Sequence, residues 1–133
     1  MAARNGTREQ FTFTRDLWKI FGKAVGNGAA NPTGLKGLGI SSLVWVSTGK
    51  YTLTLSDKWA GLLNAQFQVI NSAGTTLSIV FVSAETVAST KTLTLEVFGG
   101  ATTVAPTRRD LTSSDTLLIE LTLSNSKQVP AGY

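Results

Sequence analysis

Three carboxylates near the end of the chain, Asp110, Asp115 and Glu120, could form a carboxylate pair for glycoside hydrolysis, a weak signal from sequence alone. Two acids about 5 to 10 Å apart across a cleft hydrolyse glycosides, one as acid and one as nucleophile or base. Asp110 and Asp115, however, flank Leu111-Thr112-Ser113-Ser114, a Ser/Thr-rich turn in which Asp commonly accepts hydrogen bonds from nearby amides. The turn is the favoured reading. Glu96 and Glu120 fall at outward positions of strands and are expected to be solvated. The chain has no His and no Cys, which removes the usual zinc sites, the Ser-His and Cys-His nucleophile pairs, disulfides and thiolate ligands. No catalytic residue, metal site or cofactor is expected, and the chain is read as something other than an enzyme.

The remaining motifs are weaker. Asp57-Lys58 lacks the series of oxygen ligands a calcium loop requires and reads as the start of a short helix, where a carboxylate is favourable. Gly34-Leu35-Lys36-Gly37-Leu38-Gly39 imitates a phosphate loop, but no Gly-Lys-Ser/Thr follows. Arg4, Arg8, Arg15, Lys19 and Lys23 could touch nucleic acid or an acidic protein face, and ordinary solvated charge accounts for them equally well. Arg108-Arg109 is followed at once by Asp110, which argues against a phosphate clamp. Trp18, Trp45 and Trp59 suggest sugar stacking, although core packing is the commoner fate of tryptophan.

The elements that must position these residues are strands. Of 133 residues, 42% are hydrophobic and only 15% charged, against roughly 25% charged in typical soluble proteins. The 19 Thr and 12 Ser supply the missing polarity, and β-branched Thr suits a pleated strand. Tyr51, Leu53 and Leu55 alternate with Thr52 and Thr54 after the turn Thr48-Gly49-Lys50, a hairpin with one buried face. Further strands are expected over 66–71, 77–83, 92–98 and 116–124, with Phe11, Phe13 and Leu17–Phe21 also extended. Trp59, Leu62 and Leu63 share helical spacing, which predicts a short helix around residues 57–63 capped by Ser56. Short strands with turn signals at this spacing predict an all-β fold, an antiparallel β-sandwich of jelly-roll-like type.

One domain is expected, with a polar N-terminal arm over 1–14, the β-sandwich over 15–126 and a C-terminal tail over 127–133. The arm offers little to bury and should be ordered only where a neighbour holds it. Net charge is +4, and residues 1–50 hold seven Lys/Arg against two acids while 51–133 hold five against six. No segment approaches the roughly 20 apolar residues of a membrane span; no membrane partner is expected, and synthesis is placed in the cytoplasm.

The run from Gly39 to Trp59, continuing to Leu62-Leu63, resembles small virion structural proteins of tailed bacteriophages. It is carried by Gly49-Lys50-Tyr51-Thr52-Leu53-Thr54-Leu55 leading into Asp57 and Trp59, and by the closing strand Leu117–Leu123 running into Asn125-Ser126. The resemblance implies a capsid decoration or cement protein on the head surface, a homo-oligomer with a trimer favoured, and the major capsid protein as partner. Nucleic acid is not the expected partner. The residues expected to grip the capsid are Arg4, Arg8, Phe11, Phe13 and Arg15 in or next to the arm, and Lys36 in the loop 26–39. The alternatives are a neck or tail adaptor or fibre-base protein, and a carbohydrate-binding surface module. A small RNA-phage coat protein also matches the length, but the C-terminal end lacks the helical period such a fold would need.

Overall fold

The computed structural model describes residues 17–101 and 105–124. Nine strands run in chain order: β1 (Leu17–Val25), β2 (Thr33–Lys36), β3 (Ile40–Ser47), β4 (Lys50–Leu55), β5 (Gly61–Asn71), β6 (Thr76–Thr86), β7 (Thr92–Ala101), β8 (Thr107–Arg108) and β9 (Asp115–Ser124). They form two antiparallel sheets, β2-β1-β9-β5 and β3-β4-β7-β6, with β8 added beside β7. Consecutive strands stay in one sheet at β1–β2, β3–β4, β6–β7 and β7–β8. The chain crosses between sheets after β2, β4, β5 and β8.

Period-two alternation produces the sandwich. Leu117, Ile119, Leu121 and Leu123 of β9 point inward from the first sheet, and Leu53, Leu55, Leu93, Leu95 and Val97 meet them from the second. Thr and charged residues take most of the intervening outward positions of β4, β7 and β9, with Phe98 and Leu118 as apolar exceptions. A core of this kind is what a chain of this length can close, since about two thirds of its unfolded surface can be buried.

The expected helix at 57–63 is not formed. Ser56–Ala60 is irregular, and its amides serve neighbouring strands: Ser56 N donates to Gly39 O at 2.9 Å, Trp59 N to Val87 O at 3.1 Å and Ala60 N to Ser124 O at 2.8 Å. Gly61 then opens β5. The helical spacing of Trp59, Leu62 and Leu63 is a by-product of a register shift between Leu62 and Asn64 against β9. One extra residue in a strand breaks period two and mimics a turn of helix. Asp57 accordingly caps nothing. Among the described residues no helix is long and apolar enough to cross a membrane.

Candidate interaction surface

The two carboxylates that invited a catalytic reading are tied into the frame. Asp110 Oδ1 accepts hydrogen bonds from Trp45 Nε1 at 2.8 Å and from the Gly49 amide at 2.8 Å, fastening the loop before β9 to the β3–β4 hairpin. Gly49 has φ +67°, and a Cβ there would lie 2.8 Å from Val97 O; glycine is required for both reasons. One residue on, the Leu111 amide donates to the Tyr51 hydroxyl at 2.9 Å. Burial pushes the Tyr51 phenol above its ordinary value.

Asp115 is fully buried. Its carboxylate accepts from Asn71 Nδ2 at 2.8 Å, Arg109 Nη2 at 2.7 Å, the Thr112 amide at 2.8 Å and Thr112 Oγ1 at 3.2 Å. Burial alone would raise its pKa, but the donors from Asn71, Thr112 and Arg109 outweigh it and hold the group below the ordinary aspartate value. Arg109 also donates to Ser78 Oγ. Its side chain passes Gly99, where a Cβ would collide with Leu77 O and with Arg109 Cδ. The knot therefore binds the end of β5, the start of β6 and the loop 109–115 together. Every oxygen of Asp115 is engaged, so it serves as a structural acceptor.

Glu120 and Glu96 are likewise paired. Glu120 meets Lys19 Nζ at 2.9 Å. Glu96 pairs with Arg108, whose guanidinium also lies 5.2 Å from the Phe98 ring centroid. The Glu96 carboxyl is held below its ordinary value by a hydrogen bond from Ser83, against some burial, and then by Arg108. Both glutamates point outward as expected, but each has a basic partner, and the Glu96 side chain, only 12% exposed, is covered rather than solvated. No group of His, Cys, Asp and Glu able to hold a metal occurs among the described residues.

Of the residues expected to grip a partner, Arg4, Arg8, Phe11, Phe13 and Arg15 lie outside the described residues, as do the arm and the C-terminal tail. Lys36 is exposed at the end of β2, directly opposite Lys23 of β1. Neither lysine has an ion pair among the described residues. The tryptophans divide. Trp45 is half-buried and hydrogen-bonded, whereas Trp18 is 55% exposed and leans on Trp59 with ring centroids 6.0 Å apart. Trp18, Phe21, Leu38 and Trp59 line an open groove with Lys19, Asp57 and Lys58 at its margin.

A larger feature is the outward face of β6 and its neighbours. Leu77, Ile79 and Phe81 point out of the second sheet and are exposed, with Phe81 stacked on Phe98 at 5.7 Å. Phe81 lies opposite Glu96, itself opposite Lys50, and this charged row borders the apolar residues on the side toward β3; Thr52, Thr54, Thr92 and Thr94 occupy the other end of the same face, beside Ala84 and Thr86. The outward face of the first sheet differs: Asn64, Gln66 and Gln68 of β5 and Thr122, Glu120 and Lys19 dominate it, with Phe21, Leu118 and Ile70 interspersed. The chemistry of the β6 face suits adhesion. Sequence reading missed it because Leu77–Ser83 is apolar at nearly every position, so alternation could not tell an inward residue from an outward one. The available signal was the lack of charge, since no Lys, Arg, Asp or Glu occurs from Trp59 to Ala84.

No protein-family model matches the chain, and comparison with curated proteins and with solved structures finds no match.

Proposed function

We propose that the chain is a virion structural subunit, a capsid decoration or cement protein of a tailed phage that works by binding neighbours rather than by catalysis. The observation that carries the binding role is the exposed apolar face of β6, Leu77, Ile79 and Phe81 beside Phe98, on a chain whose two most suggestive carboxylates, Asp110 and Asp115, are engaged in structural contacts. Contiguous apolar surface on a folded domain marks a place where something else sits. The capsid address rests on the likeness of Gly49–Leu55, Asp57-Trp59 and Leu117–Ser126 to small virion proteins. Repetition in a symmetric shell lets individually weak contacts add up to stable attachment.

The test is co-sedimentation of the purified chain with heads lacking it. Saturation at hundreds of copies supports decoration, a dozen copies moves the protein to the neck or tail, and no binding overturns the virion role. Deleting residues 1–10 should abolish attachment while leaving the fold intact, and undiminished attachment would remove the arm from the proposal.

The half-exposed Trp18 in its groove favours a second reading, a carbohydrate-binding surface module, because a flat indole face beside polar groups suits a sugar ring. A glycan array with the wild-type chain and Trp18→Ala decides it. Wild-type binding lost in the variant supports this reading; silence of the wild-type chain removes it.

A further inference from the structure

We infer that β6 is a self-association edge, through which two copies of this chain pair antiparallel about a two-fold axis at Ile79 and join their β3-β4-β7-β6 sheets into one. A strand edge presents a row of unpaired amides and carbonyls, and proteins ordinarily blunt it with charge, proline, shortness or a bulge. β6 is 11 residues long and pairs only with β7 in its sheet. It is regular from Thr76 to Val82, its register shift falling after Val82. No charged residue and no proline occurs anywhere from Trp59 to Ala84. That segment holds β5 as well, the edge strand of the other sheet on the same side.

The occupant follows from complementarity. With Ile79 opposite its own copy, the outward side chains pair Leu77 with Phe81 and Ile79 with Ile79, an unbroken apolar row. The inward side chains Ser78 and Val80 then face each other across the axis. A chain of net charge +4 repels its own copy in general, but the paired stretch Thr76–Val82 contributes no charge to the repulsion. With Ile79 on the axis, Thr76–Val82 of one copy runs against the same stretch of the other, ~23 Å at about 3.3 Å per residue. With sheets ~10 Å apart and their side chains, the strip along this side is ~20 Å wide and its paired part covers ~460 Å², below the ~800 Å² per partner of a standard stable interface and in the range of weak, concentration-dependent association. Pairing would also cover the inward-facing Phe67 and Val69 of β5 and Val80 and Val82 of β6, which stay half-exposed in the single chain. The interface is isologous and closes at two copies. It does not depend on the virion reading.

The test uses the full chain, whose lack of cysteine makes single-cysteine cross-linking clean. Under mild oxidation Ile79→Cys should form a disulfide-linked dimer, while Thr52→Cys in the middle of the same sheet should stay uncross-linked. In equilibrium sedimentation the wild-type chain should weigh twice one chain, and Ile79→Lys should halve that mass with an unchanged circular dichroism spectrum. Thr33→Lys, exposed on β2 at the far edge of the sandwich, should leave the dimer intact. A wild-type monomer at high micromolar concentration, a trimer, or equal cross-linking at residues 52 and 79 would overturn the pairing. Head binding is a separate readout, so failure of the dimer and failure of the virion role are distinguishable.

Discussion

The two long sides of the sandwich are finished in opposite ways. On one side the edge strands are β2, only four residues long and ending in Lys36, and β3, whose register against β4 shifts twice, near Ile40–Ser42 and Trp45–Ser47. Shortness, a lysine and bulges are the devices that keep an edge from pairing with another molecule. On the other side β5 and β6 run 11 residues each, carry no charge before Glu85 and leave apolar side chains half-covered or exposed. The charges that could have protected this side are spent inside: Arg109 and Asp115 hold the β5–β6 crossover to the loop 109–115. Charge holds the fold at one end of these two strands, and apolar surface is left free along their length.

The largest effect should come from cutting that knot. Asp115→Ala leaves Arg109 unpaired in a mostly buried position, and breaking a buried pair from one side costs about 3–5 kcal/mol. Urea unfolding should show the loss. Hydrogen exchange should place the accompanying loosening in Ile70–Ser78 rather than in β3 and β4; uniform loosening would contradict the knot's local role. On the protected side, Trp45→Phe removes one donor to Asp110 and leaves the Gly49 amide in place. A loss of about 1–2 kcal/mol follows from a lost charged hydrogen bond and a small void, again read by urea unfolding.

Acid should act on the same contrast. The folded-state pKa of Asp115 lies below its ordinary value, so its stabilisation is fully present above the unfolded value of about 3.9 and is lost as pH falls through the folded value. Glu96, also depressed, adds in the same direction from a more exposed position. Urea midpoints should hold steady down to about pH 5 and fall below about pH 4; in Asp115→Asn the fall should be shallower. An identical slope in the variant would show that Asp115 is not the titrating group. The smallest effect on stability, within about 0.5 kcal/mol, is expected for Ile79→Lys measured at a concentration low enough to keep the wild-type chain monomeric, because the side chain is 59% exposed in the single chain. A large loss there would mean that β6 is core in the single chain.

The strands were legible in the sequence wherever one face alone is buried. Tyr51, Leu53 and Leu55 against Thr52 and Thr54, and the inward leucines of β9, alternate cleanly and take their expected places. Legibility failed at 57–63, where the register shift in β5 imitates helical spacing. It failed again in β6, where both faces are apolar and a periodic pattern cannot say which faces out. The turn reading of Asp115 was sound for its local bond to the Thr112 amide. The partners that define its role, Asn71 and Arg109, come from separate elements, and only the folded chain brings Asn71 within reach. Lys36 was legible as exposed charge, and its place opposite Lys23 required the β1–β2 register.

Concentration-dependent hydrogen exchange on the intact wild-type chain tests the central claim most directly. If β6 is an edge built for a second copy, protection of amides in Thr76–Val82 should rise with protein concentration while that of β2 and β3 stays constant. Equal exchange in β6 at every concentration, or a rise confined to β2 and β3, would contradict it.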